Sequence, residues 1–327
     1  MIRASAPGRC GIVGNPTDIY GGSVLSCSVP RRATVTLQPA HVLTLATRGQ
    51  ELELRSNEDF VRHDDYFDLP KVVLRFLRLN DARLRVEYDS DIPYQGGLSG
   101  STALLAALVA ALLEHTGQCL QRHYFAEYIR SLELNRMGIM CGYQDAYMVT
   151  FGGINYMEFR DKEYYRPVDE ELFATVEPLA DVGTALPFVL AHTGVQRQSG
   201  TVHRPLRERW EDGDPAVVEG YKRIAQMARQ GKRAFLMHDW EQLGRLMNEN
   251  HAIQRDLGGS GPDNERLIKA VLDAGALGAK LAGAGRGGTI IALHPDPQSL
   301  EAALLAAGSE LVMYPMPAPG VVVEQVK

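Results

Sequence analysis

The stretch Pro93-Tyr94-Gln95-Gly96-Gly97-Leu98-Ser99-Gly100-Ser101-Thr102-Ala103 gathers three glycines and two serines and runs straight into an Ala/Leu segment ending at Leu113. Glycines let the backbone curl with its N–H groups turned into one concavity, and the segment that follows is strong helix material. Amides curled at a helix N-terminus, backed by the positive end of the helix dipole, hold anions and phosphates in particular. This is not a Walker A loop, because no Lys-Ser/Thr pair follows the glycines in the required order. Taken alone, the same residues also suit a plain glycine turn capping a buried helix. Arg9 and Asp18 are the chemically interesting members of a second glycine-rich stretch, Pro7 to Gly22, and Asp145 follows Gly142-Tyr143-Gln144. Each acid has a structural alternative: an Asp beside Thr17 forms turns, and Asp145 is placed to N-cap the short apolar segment 146–151.

These residues need elements to hold them. Alternation predicts a strand over 83–88 that feeds the Pro93 loop, and a helix leaves it. Residues 7–22 read as a loop-rich segment between strands. Short strands are expected at 24–29, 33–37, 42–45 and 51–54, spaced as an antiparallel meander. Helical periodicity marks 69–79 and 121–135, and a strand follows at 154–159. Between 160 and 184 the chain turns charged and irregular, which places the boundary between two domains, 1–184 and 185–327. Beyond it, 186–191 reads as a buried strand, and 199–210, 215–230, 239–256 and 263–275 as helices. Strands at 278–281, 288–293, 310–314 and 320–325 around a helix at 298–307 complete an α+β domain with a small antiparallel sheet. A further glycine cluster, Lys280 to Thr289, lies between two of these strands rather than between strand and helix, so it is not a dinucleotide-binding turn.

Length agrees with two domains, since 327 residues exceed what one core usually supports. A net charge of -6 argues against coating nucleic acid but leaves room for a local pocket that binds small anions. The four cysteines contain no C-x-x-C pair, which suggests neither a zinc site nor a disulfide framework and fits a reduced cytoplasm. No apolar leader opens the sequence, and the longest apolar run is too short to span a bilayer. A soluble cytoplasmic protein, monomer or homodimer, is expected, with neither nucleic acid nor membrane as partner.

Three segments together resemble the superfamily of galactokinase, homoserine kinase, mevalonate kinase and phosphomevalonate kinase, the GHMP kinases. They are Pro7-Gly8-Arg9 with Gly14 through Gly22, Pro93 to Ala103, and Gly283 to Gly288, in matching order and separation. Within that superfamily the nearest likeness is to the glucuronokinases. It rests on Val13 to Gly22, on Gly142-Tyr143-Gln144-Asp145 before Gly152-Gly153, and on Ser199 to His203 with Arg207 to Asp214. Asn15-Pro16 stands where galactokinases carry Glu-His, which argues against galactose. Gly100 stands where many members have serine, and Gly283 to Gly288 is nearer the general superfamily form than the glucuronokinase one.

The resemblance implies a two-domain α+β GHMP kinase fold, with an N-terminal domain like ribosomal protein S5 domain 2 and a ferredoxin-like C-terminal domain. It further implies a kinase using ATP and Mg²⁺ on the anomeric hydroxyl of a sugar, D-glucuronate above others. Another free sugar, a heptose phosphate, or a non-catalytic role in binding nucleotide or sugar are the alternatives. Gly96, Gly97, Leu98, Ser99, Gly100, Ser101 and Thr102 would form the nucleotide cradle. Ser101 and Glu133 would hold the metal, with Glu127 on the same predicted helix as competitor. Asp145 would accept or orient the acceptor proton, and Arg9 would sit beside it and offset charge on the phosphoryl group in flight. Asp18, Gly21, Gly22 and Gly285 would border the sugar. Arg197, His203 or Arg207 would meet a uronate carboxylate, for which arginine supplies a two-pronged donor.

Overall fold

A computed structural model describes residues 1–162, 166–195, 200–283 and 288–326, the side chains of 200–204 excepted. In chain order the first part comprises β1 (Ile2–Val13), β2 (Ser23–Pro39), β3 (Leu43–Thr47), β4 (Gln50–Leu54), α1 (Asp68–Phe76), β5 (Leu84–Ser90), α2 (Gly100–His115), α3 (Arg122–Asn135), α4 (Gln144–Phe151), β6 (Ile154–Glu158) and β7 (Thr175–Ala180). There follow β8 (Phe188–His192), α5 (Gly200–Glu211), α6 (Pro215–Leu236), α7 (Trp240–Asp256), α8 (Pro262–Asp273), β9 (Gly278–Leu281), β10 (Thr289–Leu293), α9 (Glu301–Ala306), β11 (Leu311–Met313) and β12 (Val322–Gln325). The helices lie close to their sequence-based ranges, because their apolar residues recur at helical spacing and face a core.

The strands depart from expectation in five ways, each for a tertiary reason. Pro7-Gly8-Arg9 is not loop: β1 continues through it, and shifts of register opposite β2 at Pro7/Arg9 and Gly11/Val13 absorb the residues a flat ladder would reject. The strands expected at 24–29 and 33–37 are one, β2, which crosses the exposed Pro30. In place of a simple meander, β5 inserts between β2 and β3 and runs parallel to β3, giving the order β12-β1-β2-β5-β3-β4. The charged stretch after 160 contains β7, which pairs with β6 on the other end of β2. Lastly, β12 leaves the small sheet and pairs antiparallel with β1.

The second sheet is ordered β11-β8-β10-β9, antiparallel throughout, with α5 to α8 between its first two strands and α9 before its last. That order, 4-1-3-2 by position in the unit, is the ferredoxin-like arrangement. Against the larger sheet runs α2, apolar on nearly every side. Leu105, Leu108, Val109 and Leu112 are almost wholly buried, so the helix packs against β1 and β2 on one flank and α3 and α4 on another. Truncating such a residue costs about 2–5 kcal/mol. Its burial fixes where its N-terminus points. No helix among the described residues is long and apolar enough to cross a membrane.

Candidate active site

The Pro93 loop delivers the chain from β5 to α2. A turn closes at its start, where Gly96 N–H donates to Pro93 O at 3.1 Å. Arg9, on β1, then takes two successive carbonyls: Nη1 donates to Gly97 O at 2.7 Å and the backbone N–H to Leu98 O at 3.1 Å. In a trans peptide the C=O and the next N–H point opposite ways, so these bonds turn the Leu98 and Ser99 amides outward from Arg9. Neither amide has an acceptor among the described residues. Ser99 caps α2 in a left-handed conformation, φ 61°, and its hydroxyl is buried with no partner among the described residues. The first intrahelical bond in this turn is Ala103 N–H to Ser99 O at 2.9 Å, so the amides of Gly100, Ser101 and Thr102 carry the usual unmet donors of a helix start. Oriented amides and an orphaned hydroxyl fit an oxyanion ligand such as phosphate.

Arg9 also reaches Asp145. Nε and Nη2 both donate to Oδ1, at 2.7 and 2.6 Å, and the guanidinium is buried while the carboxylate is about one quarter exposed. Oδ2 meets no donor among the described residues. Asp145 is the second residue of α4 and does not cap it, since the capping position is Tyr143, without a side-chain bond. The helix N–H at Gln144 is instead taken by Asp18, whose Oδ2 accepts it at 2.9 Å. Asp18 is only 5% exposed, and burial raises its carboxyl above the ordinary range, partly offset by that hydrogen bond.

Glu133 on α3 lies under the first turn of α2. Its Oε1 accepts from Thr102 Oγ1 at 2.9 Å and Ser101 Oγ at 3.4 Å, and Oε2 from Thr102 at 3.0 Å. Burial pushes its carboxyl up to about 7, with the charge of Asp145 adding to the effect and hydrogen bonds from Thr102, Ser101 and Cys141 opposing it. Glu127, the competitor on the same helix, is committed elsewhere. Its Oε1 accepts from Tyr147 at 2.5 Å and from the buried Lys162 at 2.7 Å. A serine hydroxyl and a carboxylate are hard oxygen donors suited to Mg²⁺, which is usually bound by one or two carboxylates together with waters and phosphate oxygens. No group of three or more His, Cys, Asp or Glu clusters as a metal cage among the described residues.

Gly21 closes the short 3-10 turn Thr17–Tyr20, and Gly22 N–H donates to Thr17 O at 2.8 Å. Arg207, on α5, is nearly buried and pairs with Glu211 at 2.8 Å. Arg197 and Gly285 lie outside the described residues, as does the side chain of His203. Sequence reasoning passed over two buried residues that tie the halves together. Asn250 of α7 accepts the Gly14 N–H at 2.9 Å through Oδ1. Lys280 of β9 is wholly buried, donates to Asn15 Oδ1 at 2.7 Å, and has its ammonium pKa lowered by burial to about 7. A signal existed for the first: Asn250 is a polar residue on the helix face that carries Leu243, Leu246 and Met247. Close backbone contact completes the junction. A Cβ on Gly8 would lie 2.8 Å from Leu98 O, and one on Gly283 would lie 2.5 Å from Gly97 O.

An amide cradle facing a carboxylate gripped by arginine is equipment for moving a phosphoryl group between small molecules, and the protein is in this sense a phosphotransferase. The chain belongs to the GHMP kinases. The pattern described as GHMP kinases N terminal domain matches residues 68–153, GHMP kinases C terminal matches 232–312, and a galactokinase galactose-binding signature matches 2–39. Among its relatives is glucuronokinase 1 of Arabidopsis thaliana, 28% identical over 313 residues, covering 89% of this chain and 84% of that one. A D-glycero-alpha-D-manno-heptose 7-phosphate kinase of Campylobacter jejuni is 25% identical over 303 residues, covering 88% and 87%. The crystal structure of Lactococcus lactis galactokinase complexed with galactose shares the fold, with a TM-score of 0.75, 18% identity, and coverage of 99% of this chain and 95% of that one.

Proposed function

We propose that the protein is an ATP- and Mg²⁺-dependent sugar kinase acting on an anomeric hydroxyl, with D-glucuronate as acceptor and glucuronate 1-phosphate as product. The observation that carries this reading is Arg9, one buried side chain that grips both the loop at Gly97 and the carboxylate of Asp145. Asp145 Oδ2 takes the hydroxyl proton as the acceptor oxygen bonds to the terminal phosphorus and ADP departs. Gly96 to Thr102 hold the nucleotide phosphates through amides and hydroxyls, and Arg9 offsets charge developing on the phosphoryl oxygens. Ser101 and Glu133 would hold the metal, which when bound would neutralise phosphate charge. Asp18, with Gly21, Gly22 and Gly285, borders the sugar. In this reading residues 1–184 carry the cradle and the base, residues 185–327 close the site from the other side, and the enzyme works in a reduced cytoplasm.

Glucuronate is supported by the likeness to glucuronokinase, and its carboxylate calls for a cation from the stretch that holds Arg197, His203 and Arg207. The relative acting on a heptose phosphate and the galactose-binding signature over 2–39 favour a second reading, in which a heptose phosphate or neutral sugar is the acceptor. ADP release measured over a panel of free sugars, uronates and sugar phosphates separates them. Turnover on a neutral sugar with glucuronate inert would move only the acceptor assignment. Silence across the panel with nucleotide binding intact would sink the kinase reading and leave a nucleotide-binding regulator.

A further inference from the structure

Two carbonyls of the phosphate loop are held by Arg9; a third is held from the second sheet. Thr289, the first residue of β10, donates its hydroxyl to Gly96 O at 2.8 Å, and the contact is buried. A threonine hydroxyl has one proton, and a carbonyl can only accept, so that proton is spent. The 3.3 Å contact between Thr289 Oγ1 and His192 Nδ1 therefore runs the other way, with Nδ1–H donating to the hydroxyl. Burial lowers the pKa of His192, against the charge of Glu310 and a hydrogen bond to the Gly288 backbone, which keeps the ring neutral. His192 and Thr289 are direct partners in the β8–β10 ladder, so the relay is built on paired strands rather than on a loop. The imidazole is also packed against the turn itself: a Cβ on Gly96 would sit 3.4 Å from His192 Cε1.

We propose that Thr289, oriented by His192, is a positioning residue for the nucleotide: by fixing the Gly96 carbonyl it aims the Gly97 amide into the cradle, so the second sheet helps to set nucleotide affinity. The inference rests on the kinase reading. Its geometric basis is the antiparallel C=O and N–H of one peptide plane. Holding Gly96 O directs Gly97 N–H just as Arg9 directs the next two amides, and Gly97 N–H likewise has no acceptor among the described residues. Three consecutive amides are thus set by donors behind the loop, two from β1 and one from β10. Preorganised donors spend no binding energy on ordering themselves when the anion arrives.

The test is titration of the full-length protein with MgATP and with MgADP, alongside steady-state KM values for nucleotide and acceptor. Thr289→Val keeps the shape and removes the hydroxyl. It should weaken nucleotide binding roughly tenfold or more, the scale of one misdirected hydrogen bond to a charged group, with acceptor KM unchanged. Thr289→Ser should restore binding to near the wild-type value. His192→Phe leaves the hydroxyl but not its orientation and should give a smaller loss in the same direction. It also serves as the second probe if Thr289→Val folds poorly. Wild-type affinity in Thr289→Val, equal losses for nucleotide and acceptor, or a serine variant as weak as the valine one would each overturn the proposal. If the wild-type protein bound no nucleotide, the kinase reading itself would fall and this inference with it. Wild-type binding together with an indifferent Thr289→Val overturns this inference alone.

Discussion

Asp145 presents two unequal oxygens: Oδ1 takes two donors from Arg9, and Oδ2 meets no donor among the described residues. Asp145→Asn keeps the shape and removes the proposed base, so turnover should fall by about two to four powers of ten while calorimetric nucleotide affinity stays near wild type. Glu133 makes a pH prediction. Its folded pKa of about 7 exceeds the usual carboxylate value, so the folded state holds the proton more tightly than the unfolded one. The stability it contributes is full below about pH 4.5 and is lost as pH rises through about 7. Glu133→Gln should therefore match wild type in metal-free thermal melts near pH 4.5 and be the more stable protein at pH 8, by up to about 3 kcal/mol, while losing turnover. An equal melting difference at both pH values would contradict the burial argument. The contact behind it was only partly legible. Ser101 and Glu133 are named by resemblance to a family, whereas Thr102 as the donor to both carboxylate oxygens depends on how α2 and α3 cross, which no local pattern records.

Among the elements, helices were read from spacing because each buries one stripe, and α2 because its apolar run is unbroken. Most strands are legible by alternation as well, from β3 at 43–47 to β12 at 322–325, but their partners are not, and β1 shows how a strand itself can be missed. Composition at Pro7-Gly8-Arg9 argues against a strand, yet Gly8 is there because Leu98 O lies where a Cβ would go. A long-range contact chose the residue, and a local rule misread it. Partners of β5 and β12 are likewise set by register and topology, invisible to a window of residues. The same close packing makes Gly283→Ala informative. Its methyl would drive against Gly97 O, so the proposed phosphate loop must shift, at about 1–3 kcal/mol in denaturant midpoints and with weaker nucleotide binding. Asn250→Ala strips the partner from Gly14 N–H, which is worth about 1–3 kcal/mol for a buried donor left unmet, and should be read in the same melts.

At the scale of the whole molecule, the chain returns to its beginning, with β12 covering the edge of β1, the strand that carries Arg9. Ending the protein after Val321 should bare that edge, lower the melting temperature and promote self-association measured by light scattering, since an unpaired edge strand invites pairing with another copy. A truncated protein that melts like the full chain and stays monodisperse would show the last strand to be ornamental. The net charge of -6 bears on the site as well: an acidic molecule taking an anionic nucleotide owes its affinity to a few short-range donors, not to its overall field. The band where Gly8 meets the Leu98 backbone and Gly283 that of Gly97 carries a consequence for laboratory evolution. Any side chain larger than hydrogen at Gly8 or Gly283 intrudes on the loop. In a random library selected for new acceptors, survivors should be depleted of changes along this seam and enriched for them around α5, so that the sugar can be exchanged while the phosphate donor is kept.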